Sequence, residues 1–168
     1  MNALRMEPLT AGAFAPFGQV IEAGQLGCHY PINGGSCVRY HDLARLDPGF
    51  GGELIASVFR AQPTALPRSV AQFERHPLAS QAFIPLSGRP FLVLVAPPAP
   101  RPDPQSLRLF LADASQGVNL DRAVWHHALL ALEGVSDFLV LDRKGPGANY
   151  DEAWLDQPLW LDALEVVR

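Results

Sequence analysis

The stretch Glu74-Arg-His-Pro-Leu-Ala-Ser-Gln-Ala-Phe-Ile-Pro-Leu-Ser-Gly-Arg-Pro-Phe-Leu-Val-Leu-Val-Ala-Pro97 decides the reading of this chain. Its first third places an acid, a base, a histidine and a glutamine close together. Its last third, Phe91 to Ala96, is an unbroken apolar run, too short for an ordinary helix and rich in strand formers. Pro90 and Pro97 bracket that run, and proline sits badly inside a central strand. The reading is a buried strand from Phe91, a turn at Ser87-Gly88-Arg89-Pro90, and a preceding strand over Ala82 to Leu86. Glu74, His76 and Gln81 then lie on or beside a sheet, where their side chains can converge in a cavity.

Outward from this stretch the same texture continues. The chain has 168 residues, 48% of them apolar, which suits one domain over residues 1–168 with a real core. Its 16 prolines and 14 glycines are scattered, so the chain is read as many short elements joined by turns, a β-rich fold. Strands are predicted within Leu4–Thr10 and over Gln19–Ile21, Val38–His41, Leu54–Ala61, Ser106–Ala112, Val118–Leu120 and Ser136–Asp142. Thr10 is a natural cap for one helical turn ending before Pro16. Residues 23–37 read as a glycine-rich loop. Ser69–Glu74 fits either a short helical turn or an edge strand. Asp156–Val167 is read as a C-terminal helix, on the apolar stripe of Leu159, Leu161, Leu164 and Val167. Strands at short intervals with little helix point to a sandwich or small barrel.

A net charge of −4 gives no footprint for nucleic acid or an anionic membrane as partner. No apolar run approaches the ~20 residues of a membrane span. Two cysteines, Cys28 and Cys37, make neither a disulfide framework nor a zinc ribbon. Without a leader-like N-terminal pattern, a cytoplasmic protein with reduced thiols is the expectation.

Two places concentrate chemistry. In a strand, residues two apart share a face, so Glu74 and His76 can point the same way. Trp125-His126-His127 supplies adjacent imidazoles that must point to opposite faces, so only one of them enters a given cavity. Glu74, His76 and one of that pair are a donor set for a divalent metal, with Gln81 as a weak fourth ligand or a hydrogen-bond donor to substrate. The same groups also allow metal-free acid–base catalysis. Asn33-Gly34-Gly35 reads equally as a ligand-binding backbone nest or as a hairpin turn. No Gly-x-Ser-x-Gly elbow and no glycine-rich phosphate motif is present.

Several blocks, in order, resemble the ureidoglycolate lyase family: Pro8-Leu9-Thr10, Phe14 to Gly18, Asn33-Gly34-Gly35, Arg39 to Leu43, Phe59-Arg60-Ala61, Glu74 to Pro77, Ser80 to Leu86, Gly117-Val118-Asn119, Val124 to His127 and Ser136-Asp137-Phe138. Ala128 departs from the proline that usually follows the two histidines. The resemblance implies a cupin-like double-stranded β-helix barrel, usually a homodimer, that splits the small molecule (S)-ureidoglycolate into glyoxylate and urea in allantoin degradation. It implies a metal site, nickel in some descriptions, at Glu74, His76, Gln81 and one of the pair, His126 or His127, with His126 taken as the working choice; the common cupin His-x-His is here Glu-x-His, and the usual glutamate is Gln81. His76, Glu74 and His126 are the expected catalytic groups. Arg39, Asn33, Gly34, Gly35, Gln81 and His41 are the expected substrate contacts. A cupin enzyme acting on another small acid or sugar, and a non-catalytic ligand-binding cupin, are the competing classes.

Overall fold

The computed structural model describes residues 4–24 and 27–162. Within them the chain is almost all strand: β1 (Met6–Pro8), β2 (Gly18–Ile21), β3 (His29–Ile32), β4 (Cys37–Tyr40), β5 (Glu53–Ala61), β6 (Arg68–Arg75), β7 (Gln81–Pro85), β8 (Phe91–Ala96), β9 (Arg108–Ala112), β10 (Gly117–Leu120), β11 (Trp125–His126), β12 (Leu130–Ala131), β13 (Ser136–Lys144) and β14 (Asp151–Leu161). The one α-helix, α1 (Ala11–Phe14), is a single turn capped by Thr10, whose side chain accepts from the Ala13 amide at 3.2 Å.

A seven-stranded sheet runs β1-β9-β8-β11-β6-β14, with β12 also on β8, and a five-stranded sheet runs β2-β10-β7-β13-β5. The architecture is a cupin-like β barrel. β8 explains why its sequence is apolar throughout: it is buried on both faces. Phe91, Val93 and Val95 join a core with Phe14, Phe17, Phe83, Phe110, Phe138 and Val140. Leu92, Leu94 and Ala96 join a second core with Val70, Phe73, Trp125, Leu155 and Leu161. Gly18 closes β2 onto β10 at a point where a Cβ would lie 1.9 Å from the Asn119 carbonyl oxygen, with φ at 144°, so only glycine fits.

Three expectations need correction. Ser69–Glu74 is neither a helical turn nor an edge: it lies in β6, paired to β11 on one side and β14 on the other. The tail is a strand as far as Leu161, antiparallel to β6, and the remainder of the expected helix, residues 163–167, lies outside the described residues. The apolar residues there follow period two: Leu155 and Leu161 are buried while Trp154 and Trp160 face outward. A register shift between Trp154 and Leu159 absorbs Pro158 on this edge strand, and that bulge disguised the alternation. A third strand pair, β3–β4, turns the expected 23–37 loop into a hairpin. Its tip is the Asn33–Gly35 turn, where all three residues have positive φ.

Phe138 is fully buried and meets the Phe91 ring edge-on at 5.0 Å between centroids. Phe138→Ala is expected to lower unfolding free energy by about 3–5 kcal/mol in urea titrations.

Candidate active site

The cluster is assembled from strand ends. Glu74 is near the end of β6, and His126 of the two-residue β11 is its direct cross-strand partner. His76 follows β6 in the turn to β7, which opens with Gln81. Asp142 enters from β13 on the inward phase shared with Phe138 and Val140. The β13–β14 connection contributes Asn149 and Tyr150.

Each histidine is oriented by the backbone. His76 Nδ1 lies 2.7 Å from the Asn149 carbonyl oxygen, and His126 Nδ1 lies 3.2 Å from that of Val124. A carbonyl can only accept, so in the neutral form of each ring Nδ1 carries the proton and Nε2 presents a lone pair. Asn149 does more than this, since its side-chain oxygen accepts from the Leu78 amide at 2.8 Å and pins the turn that carries His76. Both Nε2 atoms are buried without a hydrogen-bond partner, as is Gln81 Oε1. One ligating atom each from Glu74, His76 and His126 falls within a 4.8 Å group. His126 Nε2 is 3.2 Å from Glu74 Oε1, a pair that attracts only when the imidazole is protonated.

These donors fit a divalent cation. Two imidazoles with the distal nitrogen tied to a carbonyl and the proximal one bare, beside a carboxylate, are the arrangement that metal ligation requires. Burying three unpartnered acceptors is otherwise costly, about 1–3 kcal/mol each.

The electrostatics agree. His126 beside it, when protonated, is the foremost influence holding the Glu74 carboxyl below its ordinary range, against the opposing effect of burial. Burial pushes His76 below the ordinary histidine value, which keeps the ring neutral. Burial pushes the Asp142 carboxyl up, and its Oδ1 also lacks a partner. Tyr150 stands at the rim, 6.2 Å from the His76 ring between centroids; its hydroxyl donates to Glu152 at 2.9 Å and its pKa is raised to about 12, chiefly by that bond.

The structure thus brings Glu74, His76 and His126 together, with Gln81 alongside. His127 points the other way, its ring edge-on to Phe73 at 6.1 Å. Arg75 is structural: it bonds Asp151 at 2.8 Å and the Ala99 carbonyl at 2.6 Å, and lies 4.5 Å over the Trp125 ring. Arg39 and the Asn33–Gly35 turn sit on the exposed β3–β4 hairpin and His41 directly follows it; among the described residues none of them bonds to the hollow. Sequence reasoning missed Asp142, Asn149 and Tyr150. Asp142 left a signal, a charge on the inward phase two residues after Val140; the other two lie in a loop without periodicity.

A strand-built cluster of two histidines and a carboxylate marks a cupin-like protein with a metal-type donor set. The family model for ureidoglycolate lyase matches residues 1–162, and the chain belongs to that family. It is similar to the ureidoglycolate lyase of Burkholderia mallei strain NCTC 10229, at 51% identity over 99% of each chain. The one from Azotobacter vinelandii is 49% identical, covering 90% of this chain and 92% of its own. The one from Stutzerimonas stutzeri is 47% identical over the whole of both chains.

Burial lowers His127 as well as His76, so the unfolded chain binds protons that the folded one refuses. The stability contributed by these neutral rings is present above about pH 6.5 and is lost as pH falls below it. The thermal midpoint is expected to be lower at pH 5 than at pH 7. His127→Gln, which spares Glu74, His76 and His126, is expected to remove part of that slope.

Proposed function

We propose that this chain is a ureidoglycolate lyase, converting (S)-ureidoglycolate to glyoxylate and urea. Membership of the family over residues 1–162 supports the reaction. The observation that carries the assignment of the site is the convergence of Glu74, His76 and His126 with their bare Nε2 atoms. The substrate is a hemiaminal whose central carbon bears hydroxyl, carboxylate and the urea nitrogen. The O–H bond breaks as the carbonyl forms, the C–N bond breaks, and the departing nitrogen takes up a proton. No redox cofactor and no covalent nucleophile is needed.

In this reading the hollow binds the carbon bearing the hydroxyl. Where no ion takes it, the His76 Nε2 lone pair accepts the hydroxyl proton, Glu74 holds the charge that develops on the imidazole, and His126 and Gln81 orient the hydroxyl and the urea end. The same donors would hold a divalent cation, with Gln81 Oε1 as a further oxygen; nickel is the ion we propose. Such an ion, when bound, supplies Lewis-acid polarisation of the hydroxyl and carboxylate oxygens. One lone pair cannot be both ligand and base, so metal content decides which role His76 plays. We also read the protein as a cytoplasmic homodimer of allantoin degradation with a single 1–168 domain; two free, exposed cysteines are in keeping with a reducing compartment.

His76→Ala is expected to cost about 10²–10⁴-fold in ureidoglycolate turnover with the circular dichroism unchanged. Retained activity would remove His76 from the reaction. Protein purified without chelator is expected to hold close to one divalent ion per chain, to lose activity on chelation and to regain it with nickel. Metal-free, fully active protein would assign His76 as the base. A chain that binds glyoxylate without releasing urea from ureidoglycolate would be a binding cupin.

A further inference from the structure

β13 carries into the interior a carboxyl group that the chemistry above does not use. Phe138 and Val140 are fully buried, and Asp142 follows them on the same phase. Its Oδ1 is shut off from water and has no hydrogen-bond partner. Asp142 makes no ion pair among the described residues. Buried side-chain oxygens nearly always find a donor, so one that does not calls for a ligand or a reason.

The neighbours of Asp142 say which end of the site it serves. The register of β13 on β7 runs from Phe138 opposite Pro85 to Leu141 opposite Ala82. One step further along both strands sets Asp142 across from Gln81. Gln81 is only 6% exposed, and its Oε1 is bare as well. His76 and Gln81 are the polar groups that act on the Asp142 carboxyl. Asp142 therefore borders the cluster on its Gln81 side. The ligating group itself comprises Glu74, His76 and His126. An ion held by those three, or a hydroxyl bound to them, leaves Asp142 Oδ1 uncovered. The Glu74 side chain is 28% exposed, so the cluster is open to solvent on that side.

A bare carboxylate oxygen asks for a donor. The carboxylate and the urea carbonyl of ureidoglycolate only accept, and a second carboxylate beside Asp142 would repel it. The donors of the substrate are its hydroxyl, its internal N–H and its terminal NH2. The hydroxyl belongs to the histidines or their ion, and the internal nitrogen is the one whose bond breaks. The terminal nitrogen lies three bonds beyond the reacting carbon, about 4 Å away. That reach matches the separation of neighbouring strands, about 5 Å, by which Asp142 on β13 stands off from Gln81 on β7.

We infer that Asp142 Oδ1 accepts a hydrogen bond from the terminal NH2 of the ureido group, which makes Asp142 a specificity-determining residue of this site. The identity of the substrate rests on the lyase reading above; the call for an N–H donor at this place rests on the bare oxygen and its strand register. The class recognised is a small acid bearing –NH–CO–NH2, told apart from N-acyl acids in which a methyl group replaces the NH2. A methyl group at that point would leave Oδ1 facing carbon, and a site built around a polar partner discriminates strongly against an analogue that lacks it.

The test is a binding measurement on the protein as purified, by ligand-observed NMR titration. Its probes are ureidoacetate, which is the substrate without its hydroxyl and so does not react, and N-acetylglycine, which differs from ureidoacetate only in carrying CH3 for NH2. The wild type is expected to prefer ureidoacetate by about 10–100-fold, the effect of one hydrogen bond to a charged group. Asp142→Leu is expected to bring that ratio close to one while leaving the affinity for glyoxylate, which has no ureido group, as it was. Asp142→Asn keeps the shape and loses the charge; it is expected to fold as the wild type does and to cut the ratio about threefold or more. A wild type that binds ureidoacetate no better than N-acetylglycine, or an undiminished ratio in either variant, overturns the role of Asp142. Equal weakening of ureidoacetate and glyoxylate in Asp142→Leu overturns it too, since that is the mark of a distorted site. None of these readouts involves turnover. Urea release by a wild type whose preference survives Asp142→Leu would leave the lyase reading standing without this residue. Absence of urea release would remove the lyase reading, while the ratio still decides what Asp142 binds.

Discussion

The phase of a two-residue strand governs this molecule. β11 places His126 opposite Glu74 and turns His127 away, and a slip of one residue would exchange them. So short a strand cannot hold its own register. Trp125 holds it: the indole is buried, its Nε1 donates to the Ala99 carbonyl at 2.9 Å, and the Arg75 guanidinium covers its ring. On the other side β11 is fixed to β8, Trp125 against Ala96 and His126 against Val95. The strand buried on both faces therefore serves as the datum against which the imidazole is positioned.

The hollow built on that register is unusual in what it leaves unbonded. Buried polar atoms in proteins nearly always find partners. Here the Nε2 atoms of both inward histidines, Gln81 Oε1 and Asp142 Oδ1 have none, while the outer nitrogens of the same rings are tied to backbone carbonyls. Rigid orientation combined with unsatisfied acceptors is what a site awaiting a cation or a reacting hydroxyl requires. The cost of leaving those atoms bare is met by the packing around them, where two cores share β8.

Much of this was legible in the sequence. Phe91–Ala96 gave a strand with its observed bounds because Pro90 and Pro97 bracket an apolar run that can only be buried on both sides. The neighbourhood of Glu74, His76 and Gln81 was legible because strand period two and a short turn keep them close. The choice between His126 and His127 was not, since it depends on the Trp125 anchor and the register of β6, both contacts between distant segments. Asn149 and Tyr150 left no trace because loop residues carry no period. The tail misled for a physical reason: the bulge around Pro158 breaks the alternation, so Leu159 and Leu161 look like a poor helical stripe when they are the inner face of an edge strand. The hairpin was hidden by its glycines, which serve as a turn at its tip.

The central claim is that the bond-breaking chemistry happens where Glu74, His76 and His126 meet. A crystal structure of the protein soaked with glyoxylate tests it most directly. The account predicts the glyoxylate within hydrogen-bonding or ligating reach of the His76 and His126 Nε2 atoms, with His127 still turned toward Phe73. Glyoxylate bound at a different, fully ordered pocket, or His127 in the place of His126, would contradict it.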